Sequence, residues 1–284
     1  MAAQFLGAHM STKNGLGGAV REGQAIGCTA IQVFTSSPQQ WKSSPVTQDK
    51  VDSYKKALEE TGIDPMAVVS HDSYLINLSA ADEEMREKSV DGLKNEVFRC
   101  ALYGIPYTVS HVGASKGWPT EEDAIQVAAE NLVRVLDDTP DTVTVLMETT
   151  AGQGSSLNYK FEQLASTLEF AGSPNRLCVC LDTCHIFVAG YDIRTPEAYE
   201  KTFAEFGRLI GFDRLKAIHC NDSKNELGKR VDRHAHIGEG LIGPTAFELL
   251  VNDPRFERTP ILLETNDGES MHEVNLRRLQ SFRR

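Results

Sequence analysis

The sequence lacks any long run of apolar residues. Across its 284 residues, no stretch approaches the roughly 18 consecutive apolar residues of a membrane-spanning helix. The opening residues, MAAQFLGAHM, have neither the basic region nor the apolar core of a signal peptide. No linker, low-complexity tract or shift in composition divides the chain. We therefore expect one cytoplasmic domain covering residues 1–284, monomeric and without a membrane partner.

Cysteine pairs separated by two residues are also missing. Thiolate zinc sites usually contain pairs separated by two residues, and no pair of the six cysteines has that spacing. A zinc site built from cysteines is therefore not expected. In a reducing compartment the thiols are better interpreted as small core residues. They are Cys28, Cys100, Cys178, Cys180, Cys184 and Cys220.

Basic residues are outnumbered by acidic ones, 29 against 40. The formal net charge of −11 argues against casual binding to nucleic acid, although it does not exclude a local positive surface. If several of the acidic residues bind metal, the bound cations offset part of this charge and the formal count overstates it.

Short β-rich runs alternate with longer amphipathic stretches from one end of the chain to the other. The predicted strands are 5–9, 30–34, 67–71, 107–111, 144–148, 177–182, 215–220 and 260–265. The predicted helices are 15–26, 49–61, 82–103, 120–137, 159–171, 195–210, 243–251 and 271–281. This alternation is typical of a parallel sheet. Eight units predict an α/β fold, a single closed (β/α)8 TIM barrel with its active site at the C-terminal rim of the strands.

Ionisable side chains mark the ends of the predicted strands. In seven of the eight strands, a His, Asp or Glu lies at the C-terminal end or one residue from it. The C-terminal ends converge on one rim of a barrel, so these side chains should meet there. They are His9, His71, His111, Glu148, Asp182, His219 and Glu264.

Two short motifs add further candidate ligands. The stretch LCVCLDTCHIF, 177–187, places His185 three residues after Asp182. It could be a thiolate metal site, a catalytic dyad, or a buried strand meeting a capped helix. We favour two metal ligands on the rim, since a dyad would lack a suitable nucleophile. In VDRHAH, Asp232 and His234 are two residues apart and would face the same way in an extended loop.

Imidazole and carboxylate ligands without thiolates suit Zn²⁺, Mn²⁺ or Fe²⁺ in open, catalytic coordination. A single histidine is more often an ordinary hydrogen-bonded residue, but so many candidates on one rim favour metal binding. A catalytic zinc takes about three protein ligands, so this set implies two or three neighbouring cations. Such a cluster suits displacement at phosphorus.

The motifs that carry these residues resemble those of the endonuclease IV family of apurinic/apyrimidinic (AP) endonucleases, from Gly7 to about Glu264. They are GAHMS, HDSYLINLS, METTAGQGSSL, LDTCHIFVAGYD, HCNDSK, VDRHAHIGEGLIG and ILLET. The resemblance implies three divalent ions, Zn²⁺ first and Mn²⁺ second. One would be bound by His71, His111 and Glu148; the next by Glu148, Asp182, His219 and Glu264; the third by His185, Asp232 and His234.

The resemblance also implies the reaction. It is cleavage of duplex DNA on the 5′ side of an abasic site, leaving a 3′-hydroxyl and a 5′-deoxyribose phosphate, with removal of 3′-blocking groups. A metal-bound hydroxide beside Glu148 would attack phosphorus, so no separate general base is required. An abasic nucleotide has no base to unstack and is therefore the least costly nucleotide to extrude.

Several residues are candidates for DNA contacts. The resemblance assigns Tyr74 to the gap left by the extruded nucleotide, together with the loop before Trp41. Where the family commonly has an inserting arginine, this chain has Gln39, followed by Gln40. This departure concerns the strength of DNA binding and not the chemistry. The basic residues near Asp232 could contact phosphates, or could simply be solvated; they are Lys224, Lys229, Arg230 and Arg233.

Two other functions remain open from the sequence. A metal-dependent sugar isomerase or epimerase on a similar barrel would use Glu148, Asp182, His219 and Glu264, but has no evident use for the other five candidates. A non-catalytic, metal-dependent DNA-binding protein is the second alternative. Nothing in the sequence favours a loss of activity, because all nine ligand positions hold a His, Asp or Glu. Strand parity further predicts that Cys178 and Cys180 face the barrel interior with Asp182, and that Cys184 does not bind metal.

Overall fold

Eight parallel strands close into a barrel in the computed structural model, which describes residues 5–265 and 269–284. The barrel strands are β1 (Leu6–His9), β2 (Ala30–Phe34), β3 (Val68–His71), β4 (Tyr107–Ser110), β5 (Thr144–Glu148), β6 (Leu177–Asp182), β7 (Leu215–His219) and β10 (Ile261–Leu263). They lie in the order β1-β10-β7-β6-β5-β4-β3-β2, and β2 pairs with β1 to close the ring. The predicted (β/α)8 barrel is confirmed.

Helices connect the strands and form the outer layer. They are α1 (Gly15–Ala25), α2 (Gln48–Thr61), α3 (Glu83–Tyr103), α4 (Glu121–Asp137), α5 (Phe161–Phe170), α6 (Thr183–Ala189), α7 (Pro196–Leu209), α8 (Pro244–Asn252) and α9 (Glu269–Ser281). Each predicted helix is present with its ends within two residues of the predicted bounds, and α6 was not predicted. In the described part of the chain, no helix has the length and apolar character needed to cross a membrane.

Helix starts follow the capping signals in the sequence. Thr120 forms a capping box with Asp123, in which each side chain accepts a hydrogen bond from the other residue's backbone N–H. Thr195 accepts from the backbone of Ala198, and Pro196 occupies the first helical position. These caps satisfy backbone donors that have no partner inside the helix. The caps explain why the predicted starts of α4 and α7 were accurate.

The barrel interior below the site is filled by small and medium apolar side chains. Alternate residues of the eight strands form one buried cluster, whereas the residues between them pack in the larger cluster under the helices. Cys178 and Cys180 belong to the interior cluster, and Val179 and Leu181 to the outer one. The strand parity predicted for β6 is therefore confirmed, and Asp182 continues the inward-facing series to the rim.

A long excursion follows β7 and includes a two-stranded antiparallel sheet, β8 (Asp222–Ser223) and β9 (His234–Ala235). The buried carboxylate of Asp222 organises this excursion, because it accepts hydrogen bonds from the backbone N–H groups of Gly238, Gly240 and Ile242 at 3.0 Å. The short sheet brings His234 back over the mouth of the barrel.

Candidate metal centre

The nine predicted ligands meet at the C-terminal mouth of the barrel, around an open cavity of about 350 Å³. Within each of three groups, one potential ligand atom from every residue lies within 4.8 Å of the others. We call them the first flanking group (His71, His111 and Glu148), the central group (Glu148, Asp182, His219 and Glu264) and the second flanking group (His185, Asp232 and His234). Glu148 belongs to two groups.

Glu148 is buried and its two carboxylate oxygens face opposite sides of the site. Oε2 lies 3.2 Å from Nε2 of His71 and 3.0 Å from Nε2 of His111. Oε1 lies 3.0 Å from Nδ1 of His219. Because a carboxylate can place one oxygen on each of two cations, this geometry suits a bridging ligand between the first flanking group and the central group.

Asp232 has the corresponding arrangement within the second flanking group. Its Oδ2 lies 3.1 Å from Nε2 of His185, and its Oδ1 lies 3.2 Å from Nε2 of His234. The Asp232 side chain is 43 % exposed, unlike that of Glu148, which is 1 % exposed. The second flanking group is therefore more open to solvent than the central group.

Asp182 has two structural roles. It is the last residue of β6 and the N-cap of α6, where Oδ1 accepts a hydrogen bond of 2.9 Å from the backbone N–H of His185. Its Oδ2 accepts a hydrogen bond of 2.7 Å from Nδ2 of Asn221. The stretch LCVCLDTCHIF is thus both a buried strand meeting a capped helix and the source of two rim side chains.

Hydrogen bonds determine which nitrogen of each histidine faces the carboxylates. The Nδ1 atoms of His71, His185 and His234 lie 2.8–3.0 Å from backbone carbonyl oxygens, those of Asp72, Thr149 and Glu264 respectively. A carbonyl oxygen only accepts, so each of these Nδ1 atoms carries a proton. Nε2 then faces Glu148 in His71 and Asp232 in His185 and His234, while Nδ1 of His185 also lies 3.2 Å from Oε1 of Glu148. Such outer hydrogen bonds typically orient histidine ligands of metal ions.

His219 has the opposite orientation. Its Nε2 lies 2.7 Å from Oε1 of Gln32, and its Nδ1 faces Glu148 and also Glu264, whose Oε2 is 3.1 Å away. His9 does not join the three groups, since its Nδ1 lies beside Gln32 Nε2 at 3.0 Å. The seven strand-end residues therefore do converge: His9 lines the same cavity, and its Nδ1 lies 3.4 Å from Oε1 of Glu264.

The electrostatics of the site suit cations. Burial lowers the pKa of His71, but the neighbouring Glu148 and Asp72 carboxylates outweigh it and raise the pKa to about 9. Burial likewise opposes protonation of His234, yet Asp182 and Asp232 raise its pKa to about 9. Burial alone would raise the pKa of Glu148, but the surrounding histidines hold it well below its ordinary value. Carboxylates buried at this density require positive charge, and divalent ions would supply it.

Several residues that hydrogen-bond to the predicted ligands were not predicted. Gln32 contacts His219, Asn221 donates to Asp182, and Thr149 accepts from the backbone N–H of Asp182 at 2.8 Å. Asn221 also accepts from the backbone N–H of Glu264 at 2.8 Å. One of them had a usable signal: Gln32 is a polar residue at an inward-facing position of β2, two residues after the interior Ala30.

Cys184 lies close to the site, and its sulfur forms a further potential ligand group with Asp182 and His234. Burial raises the pKa of this thiol to about 12, with the Asp182 carboxylate adding to the effect. The thiolate is the form that binds metal, and raising the pKa disfavours it. That Cys184 does not bind metal remains a prediction.

The candidate DNA contacts lie on exposed loops around the cavity. The Tyr74 side chain is 61 % exposed, and its ring lies 5.4 Å from that of Phe34 and 5.9 Å from that of His71. Its backbone N–H donates to the carbonyl of Pro38 at 3.2 Å, so Tyr74 lies beside the loop that carries Gln39 and Gln40. Both glutamines are exposed.

That loop is attached to α3 by buried polar contacts. The hydroxyl of Thr35 donates to the Glu96 carboxylate at 2.8 Å. Arg99 Nε donates to the Thr35 hydroxyl at 2.9 Å, and Nη1 donates to the carbonyl of Ser44 at 2.7 Å. The two ends of the loop are therefore held while Gln39 and Gln40, between them, project to solvent.

The basic residues near Asp232 are also exposed, and they differ in what they contact. The Arg230 guanidinium lies 3.8 Å from the centroid of the Tyr159 ring, and the Arg233 side chain donates to the carbonyl of Asp232. The Lys224 and Lys229 side chains are solvent-exposed. All four remain candidates for phosphate contacts.

Comparison with known proteins first defines the class of the chain. A family model described as a xylose isomerase-like TIM barrel matches residues 20–282. A solved D-tagatose 3-epimerase-like protein has the same fold, with a TM-score of 0.72 over 99 % of this chain and 97 % of its own, at 15 % identity. The chain therefore has a xylose isomerase-like TIM barrel, a fold that the epimerase-like protein shares.

Closer similarity identifies the family within that class. The chain is 47 % identical to a probable endonuclease 4 of Chloroflexus aurantiacus over 279 residues, which is 97 % of each protein. It superposes on the crystal structure of endonuclease IV from Thermus thermophilus with a TM-score of 0.86 and 33 % identity, covering 99 % and 98 % of the two chains. This chain belongs to the endonuclease IV family of AP endonucleases, which are enzymes of DNA repair.

Proposed function

We propose that this enzyme hydrolyses the phosphodiester on the 5′ side of an abasic site in duplex DNA. The products are a 3′-hydroxyl and a 5′-deoxyribose phosphate, and 3′-blocking groups are removed at the same site. The observation that carries this proposal is the convergence of nine His, Asp and Glu side chains at the mouth of the barrel, seven of which line one cavity. One carboxylate-rich centre would need only four of them.

The proposed cofactors are three divalent ions, with Zn²⁺ preferred to Mn²⁺. The first flanking group would hold one ion, the central group the next and the second flanking group the third. Their nitrogen and oxygen atoms, without thiolate, are the donors expected for such ions in an open catalytic site. When bound, clustered divalent ions lower the pKa of water and neutralise charge on phosphate oxygens.

The residues of the site would contribute to this reaction by holding the three ligand groups in fixed positions. Glu148 is held between the first flanking group and the central group by contacts on both oxygens, so it keeps their spacing constant. Asp232 and His234 lie on the excursion organised by Asp222, at the open side of the cavity. A phosphodiester entering the cavity would meet the second flanking group and Glu148 together.

Selectivity for abasic sites would follow from the cost of extrusion. A nucleotide without a base loses no stacking or pairing when it leaves the helix, so the cavity can accept it without reading sequence. The exposed Tyr74 ring lines the cavity beside Phe34 and would cover a neighbouring base pair. Gln39 and Gln40 lie on the adjacent loop.

Sugar isomerisation or epimerisation is the weaker candidate. It would use the four residues of the central group, but it would give no role to the other five residues of the two flanking groups. The similarity to the epimerase-like protein extends to the fold alone. A non-catalytic DNA-binding role would not explain why all nine side chains are gathered into three potential ligand groups.

The test combines metal content with DNA cleavage. Protein purified without added metal should contain close to three equivalents of zinc or manganese per chain. It should nick a duplex with one abasic site on its 5′ side and leave a matched undamaged duplex intact. Prolonged chelation should abolish nicking. One equivalent of metal, or no cleavage at the abasic site, would contradict the proposal and favour a sugar substrate.

A further inference from the structure

We propose that Gln32 is a positioning residue of the central group, where its side-chain amide selects the tautomer of His219 and orients the carboxylate of Glu264. This inference rests on the proposed function, because it assigns Gln32 to the support of one of the proposed ions. No resemblance of motifs pointed to this residue.

The position of Gln32 within the barrel requires an explanation. It lies in the middle of β2, and its side chain is fully buried on the same face as the interior Ala30. Its neighbours Ile31 and Val33 pack in the outer core under the helices. A buried amide is costly unless its donors and acceptor are paired, so a polar residue at an interior strand position indicates specific partners.

The partners determine which way the amide points. Glu264 presents carboxylate oxygens, and an ionised carboxylate only accepts hydrogen bonds. The atom facing Glu264 Oε1 at 2.6 Å must therefore be the amide nitrogen Nε2. Its second N–H faces Nδ1 of His9 at 3.0 Å. All donors of the amide are used, and its oxygen is left facing His219.

The tautomer of His219 then follows. Gln32 Oε1 lies 2.7 Å from Nε2 of His219 and can only accept, so Nε2 carries a proton. Nδ1 is then the nitrogen turned towards the central group, 3.0 Å from Glu148 Oε1 and 3.1 Å from Glu264 Oε2, and it would be the atom that binds an ion. With Oε1 of Glu264 held by Gln32, Oε2 is the oxygen turned towards the same point.

The other histidines show why this side chain matters. His71, His185 and His234 are oriented by backbone carbonyl groups, which no substitution at the partner residue removes. His219 is oriented by a side chain, and its ring is turned so that Nδ1, rather than Nε2, faces the site. A single substitution at Gln32 can therefore release one histidine and leave the other three unchanged.

The experiment compares three variants of the full-length protein. Gln32→Met retains the length of the side chain but removes every hydrogen bond. Gln32→Glu retains an oxygen that accepts from His219 and removes the donors to Glu264 and His9. Thr108→Val is the matched control. Thr108 lies on β4 and is as buried as Gln32, but it faces away from the barrel interior, which is the side that its neighbour Val109 faces.

Two readouts follow the central group without relying on catalysis. Competition between the protein and a zinc chelator measures Zn²⁺ affinity, and side-chain ¹⁵N spectra of histidine-labelled protein report which ring nitrogen keeps its proton. Wild type should contain one zinc-bound histidine with a protonated Nε2. Gln32→Met should lose that signal and bind its weakest ion about 10- to 100-fold less tightly, as typically found for outer hydrogen-bond partners. Thr108→Val should match wild type.

Gln32→Glu separates the two parts of the proposal. It should keep the protonated Nε2 signal of His219 while binding zinc more weakly, because Glu264 loses its donor and gains a like charge. The Gln32→Glu variant also tests the proposal on its own if Gln32→Met does not fold. Wild-type zinc affinity and an unchanged His219 signal in both Gln32 variants would overturn the proposal.

Failure of the proposed function gives a different result. If wild type binds no zinc, the hydrogen bond can still be followed in the zinc-free protein. The Nε2 proton of His219 should then exchange slowly with solvent in wild type and in Thr108→Val, and rapidly in Gln32→Met. Equal exchange in all three would exclude the role of Gln32 independently of any metal.

Discussion

The mouth of the barrel and the loops around it are built differently. Glu148, Asp182 and His219 are buried and held by hydrogen bonds that cross from strand to strand. Tyr74 and Gln39, only a short distance away, are exposed and are positioned by the backbone of their loops. The first region is placed by strand register, which tolerates little change, and the second by loops, which tolerate more. Substitutions in the two regions should therefore affect different properties.

The largest effect is expected at Glu148, in the buried region. Glu148→Gln replaces a carboxylate that faces both the first flanking group and the central group by a neutral amide, which is a poor bridge between cations. Turnover on abasic duplex should fall by at least ~10²-fold, as for removal of a strong electrostatic contributor to catalysis. Affinity for the DNA should fall much less.

Single-turnover cleavage and equilibrium binding to the same duplex measure these two quantities separately. A Glu148→Gln variant with near-normal turnover would show that Glu148 does not bridge two sites. An equal loss of binding and turnover would remove the distinction between the buried region and the loops.

The second effect is on the pH dependence of metal binding. His71 and His234 have pKa values raised to about 9 in the metal-free protein, so at pH 7 both hold protons that an ion must displace. Zn²⁺ affinity should therefore rise with pH from 7 to about 9. The expected change is about tenfold per pH unit for each proton released.

Chelator competition across that range, with proton release followed in weakly buffered solution, tests this expectation. The exposed-loop variant Tyr74→Ala is the matched control and should show the same pH profile as wild type. A Zn²⁺ affinity that is constant between pH 7 and pH 9 would be inconsistent with raised pKa values for these ligands.

A smaller effect is expected on the loops. Tyr74→Ala should weaken binding to abasic duplex by roughly 1–3 kcal/mol, the contribution of one aromatic ring stacked on a base. Gln39→Ala should have less effect, because glutamine supplies neither a charge nor a guanidinium plane. Gln39→Arg should tighten binding without moving the cleavage position. Fluorescence anisotropy with metal-replete protein measures all three.

Metal content is the control for these loop variants and should be unchanged. If neither Tyr74 nor Gln39 alters the affinity for abasic DNA, the gap-filling contact lies on another loop. If Tyr74→Ala loses metal, its ring supports His71 and the separation between the two regions is weaker than the structure indicates.

The smallest effect is expected at Cys184. Cys184→Ser should retain full metal content and activity, since Asp182 and His234 have alternative partners in the central and second flanking groups. Elemental analysis of the variant decides the matter. Loss of one equivalent would place the thiol among the ligands and would require a different assignment for His234.

The sequence alone determined the alternation of strands and helices and the identity of the rim residues. Both depend on local patterns: side chains alternate along a strand, and helices begin at hydroxyl or carboxylate caps such as Thr120. A capped helix after β6 was only one of three interpretations of LCVCLDTCHIF, and α6 was not among the predicted helices, because Asp182 ends a strand and caps a helix at once, with no glycine or proline between the two.

The tertiary structure decided how those residues are oriented. Gln32 contacts His219 across 187 positions of sequence and Glu264 across 232, so no local pattern could pair them. Closure of the barrel sets these neighbours, since it brings β2 beside β1 and β10 beside β7. Residue types at strand ends can be read locally, whereas the tautomer of a histidine depends on the atom that the closed fold places next to its ring.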